Sequence, residues 1–166
     1  MISVRPFDPR DWPAVWTVLE PVFRAGDAYA YPTDITEAEV RTLWVDRPIA
    51  TWVAQDEESG IVGAYYIKPN QGGGGSHVCN CGYAVAEKAR GRGVAALMCE
   101  HSQHEARRMG FRSMQFNFVI ASNESAVHLW KKLGFETVGR LPQAFRHPTR
   151  GYVDAFVMFK HLRSRE

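Results

Sequence analysis

The segment Ala89-Arg90-Gly91-Arg92-Gly93-Val94-Ala95 constrains this chain more than any other. A β-rich run from His77 to Ala86 precedes it. A helical stretch follows from Gly93 to Met109, with Val94, Leu97, Met98, His101 and Glu105 along its faces and Gly110 placed as a C-cap. A strand therefore ends, turns within a few glycine-relieved residues and starts a helix. The first amides of a helix lack intrahelical acceptors, and the helix dipole there favours negative charge. Such a turn suits an anion, most naturally a phosphate. Glycines let the backbone approach without a Cβ in the way, and Arg90 and Arg92 can add charge-assisted hydrogen bonds. It is not a dinucleotide fingerprint, because G-x-G-x-x-G would need glycine where Ala96 stands. Taken alone, the turn also suits a plain strand–helix connection with two solvated arginines.

The rest of the chain reads as short elements. Ile2 to Phe7 alternates as a strand. Trp12, Val15, Trp16, Leu19 and Phe23 have helical spacing. Thr36 with Glu39 forms a capping box for a second helix. Ile49 to Gln55 and Ile61 to Lys68 are strands about a hairpin signal at 56–60. Gln71 to Ser76 is the one low-complexity segment, read as a mobile loop or as a flap beside an acceptor site. Ser113 to Ile120 is a strand, Glu124 to Leu133 a helix stopped by Gly134, and Phe135 to Gly139 and Tyr152 to Lys160 are strands. The order is β-α-α-β-β-β-α-β-α-β-β, with no repeat and no linker, so residues 1–166 are expected to form one domain.

Composition narrows the function classes. A net charge of +2, with Lys and Arg scattered, gives no basic footprint for nucleic acid or an anionic membrane. No apolar run approaches the ~20 residues that span a bilayer, and the first residues do not open a signal peptide. The 3 cysteines lack framework spacing, which points to reduced thiols and a cytoplasmic protein. His77, Cys79 and Cys81 lie in a strand and are not read as a metal site. His101 and His104 with Glu105 do not make H-E-x-x-H, Cys99 is read as a buried thiol, and no serine or cysteine nucleophile motif appears. No metal is expected.

Thirty residues beyond Gly93 comes Asn123-Glu124-Ser125-Ala126-Val127-His128-Leu129-Trp130, closing on Leu133-Gly134-Phe135. Together with the turn at Arg90, Gly93 and Ala95, this pattern resembles the GCN5-related N-acetyltransferase family, whose acyl-CoA signature is Arg/Gln-x-x-Gly-x-Gly/Ala. The resemblance is strongest from Asn80 to Phe135. It implies an α/β fold of the mixed α+β kind: a central, mostly antiparallel mixed sheet splayed beside its fourth strand and flanked by about four helices. It implies acetyl-CoA as cosubstrate, held by Arg90, Gly91, Arg92, Gly93, Val94 and Ala95 at the pyrophosphate, by the backbone of Ala84 and Val85 along the pantetheine, and by Asn123. It implies transfer of acetyl to a small-molecule amine by direct attack, with a backbone amide near Tyr83 and Ala84 on the carbonyl oxygen. Family members often pair as homodimers.

Where most of the family has a tyrosine that protonates the departing thiolate, this chain has Trp130, whose indole N–H donates hydrogen bonds but is no usable acid. The aromatic is expected to pack along the cofactor. Asn80, Asn117 and Asn123 fall with the spacing of the fungal branch that N-acetylates proline analogues such as azetidine-2-carboxylate. In that branch the first two serve the substrate and reaction centre, so Asn80 and Asn117 are the catalytic candidates and an amino or imino acid is the expected acceptor. Alternation puts Asn80 on the face opposite Cys79 and Cys81. Glu20, Tyr29, Tyr31, His147, Tyr152 and Asp154 are weaker candidates for an acceptor pocket. A protein amine, an antibiotic, and a non-catalytic acyl-CoA-binding module that kept the fold are the alternatives.

Overall fold

The structure is a computed structural model and describes residues 1–163. Seven strands form one sheet in the order β1-β2-β3-β4-β5-β7-β6. The elements are β1 (Ile2–Pro6), α1 (Trp12–Ala25), α2 (Glu37–Arg41, running on into a wider turn at Thr42–Asp46), β2 (Ala50–Asp56), β3 (Gly60–Pro69), β4 (Val78–Val85), α3 (Val94–Arg108), β5 (Ser113–Ile120), α4 (Glu124–Lys132), β6 (Glu136–His147) and β7 (Gly151–His161). Every neighbouring pair is antiparallel except β4 with β5. This is the acetyltransferase fold expected from the sequence. No helix among the described residues is long and apolar enough to cross a membrane.

Strand alternation divides the core in two. Tyr65, Ile67, Cys79, Cys81 and Met114 point to the face covered by α3, where Val94, Met98, Cys99 and Ala106 meet them. Val53, Ala64 and Ala84 point to the other face, under Val15, Leu19 and Phe23 of α1. Asn80 and Gly82 alternate with the cysteines and so face the α1 side. Nothing larger than glycine fits at 82, since a Cβ there would lie 2.6 Å from the Tyr66 ring.

The last hairpin is longer than the sequence pattern suggests. β6 was expected to stop at Gly139, short of Pro142, yet it continues to His147. It is the edge strand, where a missing amide leaves no partner unsatisfied. It also carries a bulge between Leu141 and Phe145, with Gln143 at φ +49° and its amide donating to Asp154 Oδ1 at 2.9 Å. The glycine run closes the β3–β4 hairpin through a short turn at Gly73–Gly75, and the Asn70 amide donates to the Val78 carbonyl at 2.8 Å.

Candidate active site

The turn before α3 presents a row of unpaired amides. Gly91 and Gly93 both sit at φ +77°, a left-handed conformation that turns successive N–H groups outward. Within α3, Leu97 is the first residue whose amide is taken up, by the Gly93 carbonyl at 3.0 Å. Among the described residues, no acceptor is present for the amides of Gly91, Gly93, Val94, Ala95 or Ala96. The two arginines diverge. Arg90 is exposed and lines a cleft of about 270 Å³ shared with Val22, Ala25, Val85 and Glu87. Arg92, expected at the pyrophosphate, instead sends Nη1 to Asp56 Oδ2 at 3.3 Å, and its amide donates to the Ala89 carbonyl.

Asp56 therefore braces the turn from the end of β2. Only 4% exposed, it accepts from Ser59 Oγ at 2.6 Å as well as from Arg92. The Ser59 hydroxyl first and the Arg92 guanidinium second hold its carboxyl at about 2, against an ordinary 3.8. A depressed carboxyl pKa stabilises the fold fully above pH 3.8, and the contribution is lost as pH falls through about 2. Asp56→Asn is expected to lower stability to urea at pH 7, with the gap to wild type closing between pH 4 and 2. A gap that stayed constant over that range would refute the brace.

β4 and β5 touch only at their starts. The parallel pairing covers Val78 with Ser113 and Cys79 with Met114, and then the strands part. The β3–β4 register has no irregularity, and the Asn70→Val78 and Ala86→Val62 bonds fix its phase. Even-numbered residues of β4 thus give their backbone groups to β3, and odd-numbered ones turn theirs to the opening. Cys81, Tyr83 and Val85 therefore present amides and carbonyls to the gap. Of the two residues expected along the pantetheine, Val85 turns its backbone groups to the gap, and Ala84 gives its own to Ala64. The Tyr83 carbonyl is engaged by Tyr29 Oη at 2.5 Å.

Asn80 stands where the strands separate. A parallel ladder one step longer would have the Cys81 amide donate to the Gln115 carbonyl. The Asn80 side chain donates there instead, Nδ2 to O at 2.9 Å, so the Cys81 N–H stays turned to the gap. With Nδ2 committed, the Asn80 Oδ1, on the α1 face, has no donor among the described residues. Asn117 is one of two residues, with Phe118, in a bulge of β5 against β7. It accepts from Gln115 Nε2 at 2.9 Å and donates to Asn70 Oδ1 at 2.6 Å, so both ends of its amide are used within a chain of amides crossing from β5 to the residue that follows β3. Asn123 caps α4, accepting from the Ala126 amide at 3.4 Å, and its Nδ2 has no partner among the described residues.

Aromatic rings line the α3 side of the gap. Trp130 is half-buried, 5.2 Å from Tyr83 and 5.0 Å from Phe116 between centroids, and among the described residues nothing accepts from its indole N–H. Tyr83 Oη pairs with Ser102 Oγ at 2.6 Å. On the α1 side, Phe23 stacks on Tyr29, and Trp44 meets both Tyr29 and Tyr66 edge-on. Burial pushes the phenols of Tyr29, Tyr66 and Tyr83 and the Cys81 thiol well up. All four stay protonated at neutral pH, so none is a base.

The weaker candidates separate on inspection. Tyr29 reaches β4, its Oη donating to the Tyr83 carbonyl. Tyr31, 41% exposed, stands beside Phe23 at the mouth. Glu20 pairs with Arg24 on α1. Asp154 is committed to Gln143 and Arg140, and both hold its carboxyl low. Tyr152 is 65% exposed. His147 caps its own turn at Thr149. Residues not singled out from the sequence are Asn70, Gln115, Cys81 (through its amide) and Lys68. The alternation Tyr66-x-Lys68-x-Asn70 was the available signal, since it puts three polar-tipped residues on one face.

A family model described as the acetyltransferase (GNAT) family matches residues 12–135. The chain belongs to the GNAT family. N-acetyltransferase aca1 of Schizosaccharomyces pombe is 38% identical over 112 residues, which are 67% of this GNAT chain and 54% of that protein. The chain therefore spans about half the length of this curated relative. Among solved structures, a GCN5-related N-acetyltransferase from Kribbella flavida superimposes with a TM-score of 0.92 at 40% identity, over 96% of this chain and 97% of that one. A phosphinothricin acetyltransferase from Sinorhizobium meliloti, in complex with AcCoA, shares the fold at 20% identity, with a TM-score of 0.85 over 96% and 88% of the two chains.

Proposed function

We propose that this GNAT protein transfers acetyl from acetyl-CoA to the amine of a small amino or imino acid by direct attack. The observation that carries the reading is two sets of backbone donors without an acceptor among the described residues: the amides of Gly91 and Gly93–Ala96 at the turn, and the open edge of β4 that ends at the Cys81 amide beside the Asn80 Oδ1. The turn suits a pyrophosphate, and the Val85 and Tyr83 backbone suits the amides of a pantetheine arm lying as an added strand. Acetyl-CoA supplies a thioester carbonyl carbon open to a neutral amine.

The chain's own groups then have defined tasks. The Asn80 Oδ1 accepts an N–H of the incoming amine and aims its lone pair. The Cys81 amide, fixed in place before reaction, donates to an oxygen that gains negative charge. As the new C–N bond forms and the C–S bond breaks, the electron pair leaves on sulfur and the amine's proton passes to solvent water. A thiol of pKa about 8.5 departs readily as a thiolate and takes its proton from water, so Trp130 in place of an acidic tyrosine does not stop the reaction. Trp130 shapes the gap and offers as a donor an indole N–H that has no acceptor among the described residues. The spacing of Asn80, Asn117 and Asn123, similar to the proline-analogue branch, supports an acceptor that carries a carboxylate.

CoA release from acetyl-CoA across free amines tests this. Turnover with amino or imino acids is expected. Acetyl-CoA binding without release against every amine would instead mark an acyl-CoA-binding module.

A further inference from the structure

We propose that Lys68 is the residue that recognises the acceptor's carboxylate, making the enzyme selective for an anionic group beside the reacting amine; this rests on the amine-acetylation reading above. Lys68 lies on β3 directly opposite Asn80 in the register. Side chains so paired stand on the same face with Cβ atoms about 5 Å apart. The face is the one that carries the Asn80 Oδ1, Tyr66 and Gly82. Lys68 is half-buried, and its ammonium rests over the Tyr66 ring at 5.6 Å from the centroid. Among the described residues it has neither a hydrogen bond nor an ion pair, unlike Lys88 and Lys160, whose ammonium groups have partners.

A half-buried cation held by an aromatic ring and lacking a counter-ion is poised for an anion. Its neighbours favour this. Asn70, two residues on, accepts from Asn117 through Oδ1, so its Nδ2 remains a donor beside Lys68. The Asn80 amide is oriented the opposite way, with oxygen outward. The face therefore offers an acceptor over the gap and donors alongside it. That polarity matches an α-amino or imino acid, whose N–H and carboxylate are separated by a single carbon. A polyamine would place a second cation against Lys68, and like charges oppose that.

The test uses azetidine-2-carboxylate, its carboxamide and putrescine as acceptors at saturating acetyl-CoA. Wild type is expected to favour the acid over the carboxamide about 10–100-fold in kcat/KM, the range of one charge-assisted contact. Lys68→Met should erase that preference, mainly through KM for the acid, and Lys68→Arg should restore part of it. Lys68→Glu should reverse it toward putrescine. Acetyl-CoA affinity and thermal midpoint should stay near wild type in all three, which separates lost recognition from lost folding. A Lys68→Met enzyme that kept the acid-to-carboxamide ratio would overturn the assignment, as would a wild type that ignored acids and acetylated putrescine or the carboxamide; both leave acetyl transfer standing. No CoA release with any amine would remove the transfer reading and Lys68's role together.

Discussion

Gly93→Val is expected to weaken acetyl-CoA binding about 30-fold or more. Position 93 sits at φ +77°, immediately before α3. A β-branched residue is strongly disfavoured there, by about 1–2 kcal/mol or more, and the turn would relax to negative φ. Relaxation redirects the amides of Gly93, Val94 and Ala95, which have no other acceptor among the described residues. Two lost hydrogen bonds to a charged phosphate at about 1.5 kcal/mol each correspond to roughly 100-fold, and partial rearrangement gives the lower figure. Space is not the issue, because a Cβ at 93 would meet nothing within 4 Å. Gly93→Ala should therefore show a smaller loss of the same kind, driven by backbone conformation alone. Titration of acetyl-CoA by calorimetry decides: unchanged affinity in Gly93→Val would move the pyrophosphate elsewhere.

The second large effect falls on turnover. Asn80→Ala is expected to lower kcat/KM for the acceptor by about 100-fold while acetyl-CoA affinity stays within a few-fold. Two functions are lost together. The Oδ1 proposed to receive the amine's N–H disappears, and the Gln115 carbonyl loses its partner. The nearest replacement donor is the Cys81 amide, so the strands can close by one step and withdraw that amide from the gap. Loss of one such donor costs about 100- to 1,000-fold in other enzymes. Asn80 is 8% exposed, so removal also leaves a poorly solvated carbonyl, at about 1–3 kcal/mol, and the thermal midpoint should drop by about 2–8 °C. Asn80→Asp is the discriminating variant. Its carboxylate keeps an acceptor but cannot donate to Gln115, so it should fail as badly as alanine if the wedge is what matters. Retention of activity in Asn80→Asp would reduce Asn80 to a simple acceptor.

Much of this was legible before any coordinates. The alternating runs, the capping box at Thr36 and Glu39, and the glycines at 91 and 93 are local signals, and local backbone preference decides them. The family pattern from Arg90 to Phe135 carried the fold and the family. β6 runs past Gly139 to His147 because it lies on the sheet edge and bulges between Leu141 and Phe145, where Pro142 costs no ladder bond.

Tertiary structure decided which groups are free. Sequence placed Arg90 and Arg92 as equals, but Asp56, from a strand far away in the chain, claims Arg92. It placed Ala84 and Val85 side by side, but pairing with β3 leaves one of them facing the gap. It marked Asn80 and Asn117 as like residues, yet one keeps an open oxygen and the other has both ends engaged. Conformation at a glycine is set by neighbours in the chain, and so the sequence alone could determine the left-handed turn at Gly91 and Gly93. Whether a polar group is spent or available is set by partners that only folding brings together.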